Sequence, residues 1–476
     1  MSLIIPANSA AASGGYAVDN SCRFDGSSSY LTKTGSSGNR KVFTFSTWLK
    51  RSTLTAGAEQ IIGQSSETSG NDTFRILFDA GGTPDQIRVF SSNGNMNKIP
   101  SMKFRDTSAW YHVVMAFDTT QSTAADRNKI YVNGNLITDF STSVDVDINT
   151  SFEFNIPNEH TIGRNGYTNT EFFGGYMAET VLIDGTQYAA SDFGEFDEDS
   201  GIWKPIDVSG LTAGTNGFYL DFEASGNLGN DVFGGTDLTE NNIAAVDQTT
   251  DTPTNNFATM NNLDNFWQGF AFSDGNTTVT TTNASQSYST SSIMVSSGKW
   301  YVECKPVSGG SEPEIGVAIK MVGVNDGNNA QLSYNANGYA YRASDPGTVW
   351  YNGTAVSTGF SQYANGDIIG IALDLDNNKL YFSKNGTFGN SGDPTSGATG
   401  TGAISIIAPT STTLGAYAFA MNETFNDQNK VFSWNFGNPA FAISSGNTDG
   451  NGYGNFEYAV PSGYYSLNTK NLAEYG

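Results

Sequence analysis

Short apolar runs of period two recur along residues 20–225, each cut off by Gly, Asn, Asp or Pro, with no helical period between them. In the run 42–49, Phe43, Phe45 and Leu49 share one face, because successive side chains of an extended strand point to opposite sides. The runs 74–78 and 86–90 follow, bounded by turn-forming residues. Residues 110–117 are apolar on both faces apart from His112, as a central strand of a sandwich requires. The run 129–132 leads into Asn133-Gly134, a pair suited to the positive φ of a type I′ hairpin turn. Strands at this spacing predict an antiparallel β-sandwich.

The pattern dissolves over 226–262, which reads as a linker or an ordered connector, and returns at Phe266-Trp267. Residues 300–304, 314–319, 368–373 and 431–436 then read as strands of a second sandwich. The halves share a local grammar. Residues 110–134 and 368–386 each give a buried strand, a polar turn, a partner strand and an Asn-Gly hairpin. The expected organisation is an arm over 1–19, a sandwich over 20–225, a linker over 226–262, a sandwich over 263–440 and a tail over 441–476. The tail is rich in Tyr, so it is expected to dock rather than hang free.

Composition narrows the partners. Among 476 residues, 23 Lys and Arg face 47 Asp and Glu, and the net charge of −24 disfavours nucleic acid and anionic membrane. With 38% hydrophobic residues there is ample core material. Cys22 and Cys304 make no disulfide framework, and two histidines make no zinc cage. No run of about 18 apolar residues spans a bilayer. The start of the chain lacks the charged and apolar regions of a signal peptide, so synthesis in a cytoplasm is expected.

Several segments carry a family signature. Residues 23–26 (RFDG), 29–31 (SYL), 43–49 (FTFSTWL), 110–113 (WYHV), 130–134 (IYVNG), 161–163 (TIG) and 173–179 (FGGYMAE) resemble laminin G-like and concanavalin A-like lectin/glucanase modules. Residues 298–303 (GKWYVE), 366–370 (GDIIG), 372–374 (ALD) and 380–386 (LYFSKNG) resemble a SPRY (B30.2) module. The resemblance implies an all-β chain of two antiparallel jelly-roll (concanavalin A-like) β-sandwiches in tandem, built for binding. The pairing, the acidic Asn/Gly/Thr-rich composition and the closing segments 461–465 and 468–472 are similar to fibre or appendage proteins of marine bacteriophage virions.

The titratable residues bear on three kinds of chemistry. Concanavalin-like glucanases align carboxylates on a strand, and Glu195, Asp197 and Asp199 imitate that spacing; but Gly194 and Gly201 bracket them, which predicts a solvated acidic loop and no catalytic residue. No G-x-S-x-G elbow partners His112, which is expected in the core or an interface, and His160 is expected at the surface. Laminin G-like modules imply Ca²⁺ as the one possible cofactor, and Asp118 with Asp126 are the candidate ligands in the first sandwich. Residues 374–378 fail as an EF-hand, since Lys379 stands where Gly is needed. For binding, SPRY modules use loops at one end, and Trp350, Tyr351 and Asn352 are the candidate ligand contacts, an aromatic face on a turn-forming stretch. The resulting expectation is a non-enzymatic virion protein, homo-oligomeric, contacting other virion proteins and a host-surface glycan or protein. The alternatives are an extracellular lectin or adhesin of a marine bacterium, or a polysaccharide-degrading enzyme.

Overall fold

The computed structural model describes residues 15–54, 57–66, 69–79, 82–265, 269–282, 288–308, 313–322, 330–344, 346–422 and 429–476. Most of the arm 1–19 and the Phe266-Trp267 pair lie outside the described residues. The chain divides into two compact units, 12–254 and 255–476.

The N-terminal unit is a sandwich of two antiparallel sheets. One sheet runs, in spatial order, Asn135–Leu136, Asn128–Val132, Tyr111–Asp118, Val42–Arg51, Gly174–Asp184, Ser21–Asp25 and Gln248–Thr249, with Phe218–Leu220 also paired to Gly174–Asp184. The other runs Phe140–Val144, Met96–Pro100, Ile87–Ser91, Ser69–Phe78, Glu59–Ser66, Glu159–Ile162, Tyr30–Thr34 and Thr239–Asn241. Alternation places Phe43, Phe45 and Leu49 in the core between the sheets, with Val113, Met115 and Phe117 beside them. The opposite side of the first sheet is covered as well: Val114, Val181 and Ile183 pack under Phe193, Val208 and Tyr219. That second cover explains why 110–117 is apolar on both faces. Asn133 and Gly134 take φ of 46° and 79°, the turn that the Asn-Gly pair predicts.

The stretch 226–262 is ordered and is shared between the units. Thr239–Asn241 and Gln248–Thr249 join the two N-terminal sheets, and Asp251, fully buried, pairs with Lys50 at 2.7 Å while accepting Trp110 Nε1–H at 3.0 Å. Residues 255–262 pack in the C-terminal unit, where Phe257 bridges Asn468.

The C-terminal unit is also two antiparallel sheets. One orders Phe270–Ser273, Thr278–Thr281, Val431–Asn435, Lys299–Ser308, Ile369–Asp374, Lys379–Lys384 and Thr387–Phe388. The other orders Tyr288–Val295, Tyr417–Asn422, Glu314–Ala318, Gly338–Arg342, Gly347–Tyr351 and Thr354–Phe360. Trp300, Trp434, Tyr341 and Tyr417 are among the largest side chains enclosed between them. The tail 441–476 is docked on this core and ends in the helix Thr469–Tyr475, capped by the Asn468 side chain accepting Asn471 N–H. Buried Glu303 holds the tail by accepting the N–H groups of Glu457 (3.0 Å) and Tyr458 (2.8 Å). No helix among the described residues is long and apolar enough to cross a membrane.

Candidate binding site

A cleft of about 460 Å³ opens in the N-terminal unit where three separate segments meet: the strand Tyr30–Thr34 with Ser36, the loop 213–217, and the loop 231–237. The strand pairing of Thr32 with Thr239 brings the second loop beside the first strand. Gly214 and Gly234, at φ of 76° and 80°, let the two loops turn where a side chain would be strained. The floor is preorganised. Lys33 Nζ lies 3.3 Å from Asp231 Oδ2 and donates to Gly217 O at 3.3 Å, and the Asp231 side chain is fully enclosed. Asp231 Oδ1 accepts the N–H groups of Tyr219 (3.0 Å) and Phe233 (3.2 Å). Asn216 closes the near wall, accepting Ser36 N–H at 2.6 Å and donating to Ser36 O at 2.9 Å.

The remaining lining includes Thr32, Thr34, Thr215, Thr236 and Thr239, the exposed carboxylate Asp237 and one half-buried ring, Phe233, which leans on Tyr219. Such a lining suits a polyhydroxylated ligand: donors and acceptors in fixed places and one apolar face. It does not suit acid catalysis. Asp237 accepts Asp231 N–H and Asn227 Nδ2–H, and those bonds hold its carboxyl below the usual range. A glycosidase acid needs the opposite shift. Burial pushes up Asp184, whose carboxylate is held by Asn216 N–H at 3.1 Å, and it pushes Glu179 up to about 8, sealed by hydrogen bonds from Tyr219 (2.7 Å) and Tyr16 (3.3 Å).

Glu195, Asp197 and Asp199 sit on or beside the two-stranded ribbon of Gly194–Phe196 and Trp203–Pro205. Lys204 neutralises Glu195 (3.3 Å) and Asp197 (3.2 Å), and Asp197 caps the turn by accepting Ser200 N–H at 2.9 Å. Those bonds pull the Asp197 carboxyl down to about 2. His112 is buried, its ring stacked on Trp48 at 4.8 Å and near Trp203 at 5.9 Å. Trp203 Nε1–H donates to Nδ1 at 3.0 Å, so the ring proton sits on Nε2 and faces Ser46 Oγ at 2.9 Å. Burial pushes this imidazole down to about 3, and its ring partners among the described residues are Ser46 and Trp203 rather than a carboxylate, so the Ser46–His112 pair lacks the geometry of a nucleophile and its base. His160, expected at the surface, is instead 2% exposed, because Phe154 packs edge-on against its ring in the core.

The cation candidates have other partners. Asp118 accepts Thr120 N–H (3.0 Å) and Gln121 Nε2–H (2.6 Å), and Asp126 pairs with Lys129 at 3.1 Å. No group of three or more His, Cys, Asp or Glu side chains converges on one point among the described residues. Trp350 and Tyr351 stand on the strand Gly347–Tyr351, not on a loop, and the turn begins at Asn352 (φ 48°). Tyr351 stacks on Tyr339 at 4.3 Å, while half-buried Trp350 takes the opposite face of the sheet beside Arg342.

Sequence reasoning missed Lys33, Asp231 and Phe233. They lie up to 200 positions apart, and the only local signal is the glycine content of 214–217 and 226–235.

This architecture defines a tandem of binding-type β-sandwich modules. Residues 25–189 match the concanavalin A-like lectin/glucanases superfamily and residues 298–405 match the SPRY domain. Among solved structures the chain is similar to a candidate carbohydrate-binding protein from Bacteroides ovatus, at 18% identity over 48% of this chain and 60% of that one, with a TM-score of 0.36. The chain thus spans about 60% of that relative's length. It is also similar to the SPRY domain of human HERC1 (17% identity, 33% of this chain, 87% of that one, TM-score 0.26). A third similar structure is the heptameric SAP-like pentraxin of Limulus polyphemus (12% identity, 36% of this chain, 78% of that one, TM-score 0.25). No curated protein matches the sequence.

Proposed function

We propose that this chain is a non-enzymatic binding protein that takes a neutral sugar in the Lys33–Asp231 cleft, and that it is a structural part of a bacteriophage virion. The observation that carries the sugar reading is the cleft itself: hydroxyl-lined, floored by a fixed ammonium–carboxylate pair and edged by Phe233. The lectin character of the family matched over 25–189 supports it. The virion reading, as tail fibre, capsid fibre or decoration in homo-oligomeric form, rests on the pairing of the two modules. A charge of −24 keeps many copies on one particle soluble.

Titration of neutral mono- and oligosaccharides by calorimetry tests the cleft. Phe233→Ala is expected to weaken binding about tenfold or more, the loss of one good ring contact. Unchanged affinity would end the cleft assignment. For the virion role, mass spectrometry of purified particles is expected to find the chain in fixed copy number. Its absence there, with the protein on bacterial surfaces instead, favours the lectin or adhesin reading. A polysaccharide-degrading role requires reducing ends released by the wild type and lost in Glu195→Ala.

A further inference from the structure

Arg342 in the C-terminal unit is an unusual arginine: nine-tenths enclosed, yet with one end of its guanidinium unused. Its Nε and Nη2 donate to Glu314 Oε1 at 3.1 and 2.6 Å, and Nη2 also reaches Ser333 Oγ at 2.9 Å. The group is fixed between two rings, 4.4 Å from the Trp350 centroid and 5.9 Å from that of Tyr334. Nη1 has no hydrogen-bond partner among the described residues. Trp350 faces exposed Ala355 on one neighbouring strand, while Ala340 on the other is buried in a cluster with Ala330 and Leu332; Tyr334 is 39% exposed, and Gly353 lies against the Tyr334 ring.

We propose that Trp350, Tyr334 and Arg342 form a second carbohydrate site, on the outer face of the six-stranded sheet, that takes a neutral pyranose ring. Beyond the guanidinium, half-buried Trp350 and 39%-exposed Tyr334 offer aromatic surface for the C–H face of the sugar, and Nη1 offers a donor to a ring hydroxyl or ring oxygen. The ligand is neutral because the arginine's fork is already engaged. A carboxylate or phosphate is best bound by two parallel N–H groups, and here Nε and Nη2 are committed to Glu314 and Ser333. Glu314 also cancels the charge at the site, so an anion gains no net attraction there. Glu314 and Ser333 are positioning residues, and Trp350, Tyr334 and Arg342 are the contacts. The inference rests on the sugar-binding reading, extended to a surface remote in sequence from the first cleft.

The test uses the full chain on an array of neutral and sialylated oligosaccharides, followed by calorimetry with the neutral sugars that bind. Trp350→Ala and Tyr334→Ala are each expected to remove a set of neutral-sugar signals, at least tenfold in affinity, that Phe233→Ala leaves in place. Both variants are checked for a retained melting transition; Tyr334 is on an exposed loop, so its removal reports on the site even where Trp350→Ala loosens the sheet. Neutral-sugar binding that neither variant changes overturns this site and leaves the first cleft standing. Loss of all neutral-sugar binding in these variants, with none lost in Phe233→Ala, upholds it and removes the cleft. No sugar binding at all overturns both, and a preference for sialylated sugars at Trp350 refutes the neutral-ligand argument.

Discussion

Glu179→Gln should make the N-terminal sandwich less sensitive to alkaline pH. Glu179 sits at a bulge of Gly174–Asp184, where the pairing with Val42–Arg51 shifts register between Ala178 and Val181, and its own φ is 48°. Its carboxyl is buried and bonded to Tyr219 and Tyr16 hydroxyls, with Asp221 and Glu223 as its charged neighbours and Asp207 acting on Tyr16. Burial, first, and the neighbouring carboxylates raise it from 4.5 to about 8. A group raised in the folded state binds its proton more tightly there than in the unfolded chain. Its contribution is therefore complete below 4.5 and lost as pH climbs through 8. At about 1.4 kcal/mol per unit, with the slope halved near the folded value, the loss between about pH 6 and pH 8 is on the order of 2 kcal/mol. For a unit of this size that corresponds to roughly 4–8 °C in Tm. Gln keeps the shape and the bonding to both tyrosines without the charge. Melting of wild type and variant across this range should show the Tm difference widening in favour of Glu179→Gln by about that amount. A difference constant with pH would refute a buried, protonated Glu179. The network also bears on the cleft, because Tyr219 donates its N–H to Asp231 and packs on Phe233.

Three further outcomes follow from the same packing. Trp203→Phe removes the indole N–H that caps His112 Nδ1 and leaves a buried acceptor unpaired, costing about 1–2 kcal/mol in urea unfolding, while Trp203→Tyr does not restore it. Glu303→Ala frees the tail: it strands the Glu457 and Tyr458 N–H groups and one of the two Nδ2 hydrogens of Asn435, at a cost of about 3 kcal/mol or more, and limited proteolysis should then cut within 441–462. Since Asp118 and Asp126 have protein partners, EDTA and Ca²⁺ should leave Tm unchanged; a calcium-dependent rise of several degrees would restore a cation site in the loops.

The strands were legible in the sequence because the period of two is local. Phe43, Phe45 and Leu49 must share a face in any extended run, and Asn133-Gly134 turns the chain whatever surrounds it. Family signatures along 25–189 and 298–405 identified the modules for the same reason, since they are written in contiguous strands and turns. His160 misled because a polar side chain in a turn-rich segment gives no hint of the Phe154 ring that covers it. Pro346 and Gly347 announce a turn before Trp350, whereas pairing with Gly338–Arg342 draws the stretch into the sheet. Only the tertiary structure decided what the two proposed binding surfaces are made of. The cleft brings together Lys33, Asn216 and Asp231, and the proposed second site Tyr334, Arg342 and Trp350, groups joined by strand pairing and loop docking rather than by spacing. Sheet order is a long-range property, fixed by which faces find cover, and a sequence read in windows of ten residues carries the alternation but not the neighbour.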